Sequence, residues 1–230
     1  YQQNPIPKEG VIFKPEWMPV GLCRPDEYAA CFMAMDCAIS QKEQADESAV
    51  TIAKIPFGEN PTIDEISTPH GRWTFEQQIN TVKGLYAMHK PLVVGIEGDR
   101  GGKIVVEVLR REQIPVLELP IVADKVTRAM TVSHLFSQGK VRINTPELRK
   151  QLLSFRGGTE ANDLADAFIH VLRLVMKCSD MKYPNPREIF DPWKHPEEQQ
   201  TYDQKVWAHV EKRHRISERN YRRRMRGASI

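Results

Sequence analysis

Three acidic residues stand at positions where a carboxylate is either costly or pointed. Asp36 closes an otherwise uncharged run, Ala29-Ala30-Cys31-Phe32-Met33-Ala34-Met35-Asp36-Cys37-Ala38. Side chains of a strand alternate between faces, so Ala30, Phe32, Ala34 and Asp36 share one face. A carboxylate there costs free energy unless it is paired, protonated or metal-bound. The alternative is a frayed strand end where Asp36 caps a turn. Glu97 ends a second apolar run, Val93-Val94-Gly95-Ile96-Glu97, and Gly98-Asp99-Arg100-Gly101-Gly102 follows. Ligands of open α/β sheets gather at the carboxyl ends of strands, and the glycines would let a substrate backbone approach. Equally, Asp99 would cap a helix and Glu97 favour its dipole. Asp163 opens a third segment, Asn162-Asp163-Leu164-Ala165-Asp166-Ala167. Helical spacing puts Asp163, Asp166, Ala167 and His170 on one face, although acids in a first turn also occur for dipole reasons alone.

The elements that must position these acids follow from apolar periodicity. Strand-like runs cover Tyr28–Ala38, Ala49–Phe57 and Thr62–Thr68, joined by short separators that favour an antiparallel meander. Thr74–His89 carries Phe75, Ile79, Val82, Leu85 and Tyr86 at helical spacing. Leu92–Glu97 is a buried-type strand, Gly101–Arg111 a helix and Ile114–Leu119 a strand. Helices are expected over Ala123–Ser137, Pro146–Phe155 and Ala161–Cys178. Helix-linked strands are parallel to their predecessors. The expected fold is therefore α/β, an RNase H-like mixed sheet with an antiparallel meander, then parallel strands, flanked by helices. In that layout the first and fourth strands are neighbours and the last helix packs over their ends. Asp36, Glu97 and Asp163 would then share one cluster. Like charges so close need a cation, and hard oxygen donors select Mg²⁺ or Mn²⁺. Two such ions about 3.5–4 Å apart can activate water and stabilise the leaving oxygen of a phosphodiester.

Composition bounds the partners. Residues 205–230 hold nine Lys/Arg and two acids, a charge of +7, while the other 204 residues hold 24 bases and 28 acids, a charge of −4. A slightly acidic body with a basic tail points to a polyanion. Cys23, Cys31, Cys37 and Cys178 have no zinc-knuckle spacing and read as reduced thiols. No apolar run approaches the roughly 18 residues of a membrane span, so no membrane partner is expected. No phosphate loop of the form G-x-x-x-x-G-K-[ST] is present, so ATP hydrolysis is not expected of this piece. Pro5, Pro7, Pro15, Pro19 and Pro25 make residues 1–27 an extended, linker-like lead-in. The expected organisation is lead-in 1–27, nuclease-type domain 28–180 and polar, basic tail 181–230.

Four stretches resemble the C-terminal nuclease domain of the large terminase subunit of tailed bacteriophages. Tyr1-Gln2-Gln3-Asn4-Pro5, with Phe13 and Trp17, resembles the segment between the ATPase motor and the nuclease. Ala34-Met35-Asp36 resembles the first-strand acid. Val94-Gly95-Ile96-Glu97-Gly98-Asp99-Arg100-Gly101-Gly102 resembles the strand, acid and glycine run. Leu152-Leu153-Ser154-Phe155-Arg156-Gly157-Gly158, with Asn162-Asp163-Leu164-Ala165-Asp166-Ala167, resembles the closing motif. One departure matters: that motif often carries two adjacent Asp, and here the first is Asn162.

The resemblance implies a metal-dependent endonuclease that cuts concatemeric viral double-stranded DNA during packaging. Asp36, Glu97 and Asp163 would be catalytic and hold two Mg²⁺ or Mn²⁺, with Asn162, Asp99 and Asp166 as further candidate ligands. Lys125 and Arg128, i and i+3 on a helix, would flank the DNA, or else form a solvated face. Arg100, Arg222, Arg223 and Arg224 are further candidate DNA contacts. The implied partners are an N-terminal ATPase domain, the capsid portal protein and the small terminase subunit, in the host cytoplasm at the procapsid. A junction resolvase or RNase H-type enzyme on the same fold, and a non-catalytic DNA- or portal-docking module, are the competing readings.

Overall fold

A computed structural model describes residues 12–38, 47–58, 60–121, 124–156 and 162–178; the tail lies outside the described residues. One mixed sheet organises the chain. Strand β1 (Tyr28–Asp36) pairs antiparallel with β2 (Ser48–Pro56), and β2 with β3 (Ile63–Ser67). Strand β5 (Val94–Glu97) then lies parallel to β1, and β6 (Val116–Leu119) parallel to β5. Two strands of two residues each were not expected from sequence: β4 (His70–Gly71), paired with β2, and β7 (Val141–Arg142), parallel to β3. The order along the sheet is β6-β5-β1-β2-β3-β7, with β4 beside β2. The antiparallel-then-parallel reading holds, and it makes β1 and β5 neighbours.

Helices cover both faces. On one side lie α1 (Phe75–His89) and α2 (Arg100–Arg111), packed on Met33, Met35, Val94 and Ile96. On the other lie α3 (Lys125–Ser137), α4 (Pro146–Ser154) and α5 (Asp163–Cys178), packed on Ala30, Phe32, Ala34 and Val93. The alternation along β1 thus aims Asp36 to the same side as α5. Gly95 is small for a packing reason: a Cβ there would come within 3.1 Å of the Leu174 side chain of α5. No helix among the described residues is long and apolar enough to cross a membrane.

The lead-in departs from expectation. From Ile12 onward it carries two 3-10 turns opened by prolines, Pro15–Trp17 and Pro25–Glu27, and it is not a free linker. Phe13 and Met18 are fully buried, and the Phe13 ring lies 4.4 Å from that of Phe136 and 6.0 Å from that of Phe155. Arg149 of α4 donates to the carbonyls of Pro15 and Met18, and the Ile143 N–H donates to Pro19. Two buried acids of β3 anchor the same side. Glu65 accepts from the Asn144 and Thr145 N–H groups and from the Thr145 and Thr68 hydroxyls. Asp64 accepts from the Tyr28 and Thr62 hydroxyls. With its lone pairs so occupied, Glu65 holds the start of α4 against the sheet.

Candidate active site

Asp36 and Glu97 are the last residues of β1 and β5. The parallel register runs Met33–Val94, Ala34–Gly95 and Met35–Ile96, so one step further sets Asp36 beside Glu97 at the carboxyl edge. Helix α5 lies across this edge and packs on β1, β2 and β5. It begins with Asp163, whose Oδ2 accepts the Glu47 N–H at 3.1 Å. Asp163, Asp166 and His170 are all buried, as one helix face requires. Helix α5 meets the carboxyl ends of β1 and β5 through His170 and Arg173.

The charges at this edge are compensated by protein groups. Glu97, its side chain 15% exposed, receives Arg128 Nη1 on Oε2 at 2.8 Å and Arg173 Nη1 on Oε1 at 3.2 Å. Arg128 also reaches Asp166 Oδ1 at 3.3 Å through Nη2, and Lys125 Nζ reaches Asp166 Oδ2 at 2.8 Å. Arg173 Nη1 lies 3.2 Å from His170 Nδ1. A guanidinium only donates, so Nδ1 is the acceptor and the ring proton sits on Nε2. That Nε2 lies 3.7 Å from Asp36 Oδ1, too far for a hydrogen bond. The Asp36 side chain, 28% exposed, is the most open of these acids toward solvent.

Two expectations are corrected here. Arg128, expected beside the DNA or on a solvated face, is buried, with its side chain 8% exposed and bridging Glu97 to Asp166. Only Lys125 of that pair is open, at 36%. The glycine run was read as room for a substrate backbone, yet at Gly102 the room is taken by the protein: a Cβ would meet the Glu97 carbonyl oxygen at 1.9 Å. Gly102 allows the first turn of α2 to sit against the end of β5. Asp99 caps that turn, accepting the Gly102 N–H at 2.6 Å.

Other candidates fall as follows. The cap of α5 comes from Gln151 of α4, whose Oε1 accepts the Leu164 and Ala165 N–H groups at 3.0 and 3.1 Å. Asn162 is buried, and neither of its side-chain polar atoms has a hydrogen-bond partner among the described residues. The Arg100 side chain and Arg222, Arg223 and Arg224 lie outside the described residues. Arg173 was not singled out from the sequence, although a lone arginine in the apolar stripe of α5, three residues after His170, marks a buried counter-charge.

The titration of neighbouring groups reflects the same field. Burial pulls the Lys125 ammonium down, but the hydrogen bond and charge of Asp166 and the charge of Asp36 outweigh it, and its pKa is raised. Burial lowers Arg173 against the opposing pull of Glu97. Burial, then the charges of Asp36 and Asp99, push the Cys37 thiol up. Asp36 thus acts electrostatically on both α3 and the end of β1.

Among the described residues, no three Asp, Glu, His or Cys side chains are grouped closely enough to hold one ion. The physical reason lies in Glu97, whose two oxygens face arginines. The donor types still fit a hard divalent cation: Asp36, Glu97 and Asp163 offer only carboxylate oxygens.

The terminase RNase H-like domain family matches residues 33–172. Among solved structures, the magnesium-bound large terminase nuclease of thermophilic phage G20c is similar, with a TM-score of 0.52 and 16% identity over 72% of this chain and 93% of that one. The nuclease domain of the large terminase subunit gp2 of bacterial virus Sf6 gives 0.43 at 11% identity, over 70% and 98%. Thermus thermophilus RuvC gives 0.40 at 11% identity, over 65% and 96%. At these identities the likeness is one of fold. No match is found among curated proteins.

Proposed function

Since the chain belongs to the terminase RNase H-like domain family, we propose that it is a divalent-metal-dependent endonuclease cutting double-stranded, concatemeric viral DNA during genome packaging. One observation carries this reading: Asp36 and Glu97 end adjacent parallel strands and face α5, the helix that Asp163 opens, with Asp36 Oδ1 3.7 Å from His170 Nε2 and Glu97 Oε1 3.2 Å from Arg173 Nη1. The large terminase nuclease of thermophilic phage G20c, described with bound magnesium, supports the choice of ion.

Asp36, Glu97 and Asp163 would hold the metal. Mg²⁺ or Mn²⁺, two ions in the full site, supplies Lewis-acid charge for activating water and for the departing 3′ oxygen. Asp36, the most exposed acid, faces the solvent from which substrate arrives. His170 faces Asp36 from the buried side, its Nε2 3.7 Å from Asp36 Oδ1. Lys125 at the rim contacts a DNA phosphate, which positions the duplex without reading sequence. Arg100 and the basic residues Arg222, Arg223 and Arg224 would add phosphate contacts.

Residues 28–180 would form the nuclease domain and 181–230 a polar, basic tail. In the assembled machine the partners would be an N-terminal ATPase domain, the small terminase subunit and the capsid portal protein, in the host cytoplasm at the procapsid.

Cleavage of supercoiled plasmid tests the reading. Nicked and linear products should form with Mn²⁺ or Mg²⁺ and disappear with EDTA. No cleavage with either ion, or cleavage that survives EDTA, would overturn it.

A further inference from the structure

Arg128 has an arrangement that a structural ion pair does not need. Its guanidinium is buried at the carboxyl edge of the sheet, where an uncompensated charge costs several kcal/mol. It divides itself between Glu97 Oε2 at 2.8 Å and Asp166 Oδ1 at 3.3 Å. The shorter contact is a well-formed hydrogen bond. The longer is charge proximity only, and Asp166 Oδ1 and Arg128 Nε both lack a hydrogen-bond partner among the described residues. Arg128 therefore has unused donors and an unused acceptor within reach on Asp166. Arg173, by contrast, is tied to Glu97, to His170 and to the Pro120 carbonyl.

We infer that Arg128 is a resident counter-cation that a divalent ion must displace from Glu97, moving it onto Asp166 as the ion enters. The inference rests on the reading of Glu97 as a metal ligand. An arginine and a divalent cation cannot share Glu97 Oε2 at contact distance, because like charges at about 4 Å repel strongly where water is scarce. The exchange is feasible because both states leave Arg128 and Glu97 with a counter-charge. Without the ion, Arg128 neutralises Glu97. With it, the ion neutralises Glu97, and Arg128 completes its bond to Asp166 Oδ1 beside Lys125. Arg173 keeps Glu97 in place throughout. Glu97 thus stays charge-compensated before metal arrives, and metal affinity is set by a competition within the protein. Negatively charged DNA at the rim tips that competition toward the ion, by adding acceptors that Arg128 cannot reach from the interior.

The test is calorimetric titration of Mn²⁺ into the DNA-free chain and its Arg128→Gln variant. Removing one neighbouring positive charge shifts charge-dependent equilibria by about one to three pK units. Arg128→Gln should therefore bind Mn²⁺ about tenfold tighter or more. Equal or weaker binding by the variant overturns the inference and shows Arg128 to be a clamp that orients Glu97. No Mn²⁺ binding by either protein overturns the metal-site reading as well, so the two failures are distinct. If Arg128→Gln does not fold, the unaltered chain decides. With ¹⁵N-labelled arginine, the Arg128 Nε signal, assigned through Arg128→Lys, should shift on saturation with Mg²⁺. An unmoved signal at saturation refutes the displacement.

Discussion

Asp36→Asn and Glu97→Gln should both stop cleavage but differ in what they do to the fold. Each isostere removes one charge from a proposed metal ligand. Even groups that only support ligands cost about 10–100-fold when lost, so both variants should cut at least about 100-fold more slowly. Stability separates them. The Asp36 side chain is 28% exposed, with the His170 ring 3.7 Å away and the Lys125 charge acting on it from α3. Pairs of that kind contribute about 0–1 kcal/mol, and relief of acid crowding offsets part of it. Glu97 compensates two guanidinium groups, with side chains 8% and 11% exposed. Removing one partner of a buried pair costs about 3–5 kcal/mol. Arg128 keeps Asp166, and Arg173 keeps the Pro120 carbonyl, so the low end, about 3 kcal/mol, applies. At about 2–4 °C per kcal/mol for a domain of this size, Glu97→Gln should melt roughly 6–12 °C lower and Asp36→Asn within about 4 °C of the unaltered chain. Thermal unfolding in EDTA, beside plasmid cleavage in Mn²⁺, measures both. A stable Glu97→Gln would refute the argument that Glu97 compensates the arginines. An unfolded or fully active Asp36→Asn would refute its role as an exposed ligand.

The lead-in and the alkaline limit supply two further checks. Phe13→Ala should destabilise the full chain by about 3–5 kcal/mol, as burial of the whole ring requires, whereas Leu22→Ala, on an exposed side chain of the same segment, should stay within about 0.5 kcal/mol; equal denaturant midpoints for the two would return residues 12–27 to a linker. Burial, with the nearby Asp64, pushes the Tyr28 hydroxyl up from 10.0 to about 12, and burial pushes the Cys31 thiol up from 9.0 to about 12. Both groups therefore hold protons in the fold that the unfolded chain has released, so stability present below pH 9 should fall as pH rises toward 12; urea midpoints that stay level between about pH 8 and pH 11 would contradict it.

The sheet was legible because its signals are local. A nine-residue strand with one charge at its end, and a four-residue strand ending the same way, announce both their burial and their carboxyl edge. Strands β4 and β7 have two residues each and no room for a pattern. The lead-in was misread because proline content reports backbone extension and says nothing of what Phe13 and Met18 pack against. Arg128 was misread for a related reason. The i, i+3 spacing with Lys125 shows that the two share a side of α3, but Ala129, Val132 and Phe136 are buried on that helix too, and Arg128 goes inward with them. Gln151 caps α5 from another helix, 13 and 14 residues away, a relation no local motif encodes.

The charge balance of this edge bears on why position 162 carries an amide. Asp36, Glu97, Asp163 and Asp166 contribute four negative charges, and Lys125, Arg128 and Arg173 contribute three positive ones. These seven groups sum to one net negative charge. Asn162, the residue before Asp163, is buried, and an acid there would add a charge at a position with no hydrogen-bond partner among the described residues to stabilise it. One divalent ion turns −1 into +1, a balance the edge can hold. Two ions turn it into +3, which a buried site cannot hold unless anionic oxygens enter with the second ion. A DNA phosphate at the scissile bond brings such oxygens. In the proposed two-ion reaction the second ion would therefore be tied electrostatically to substrate, and the full cutting centre would assemble only with DNA in place.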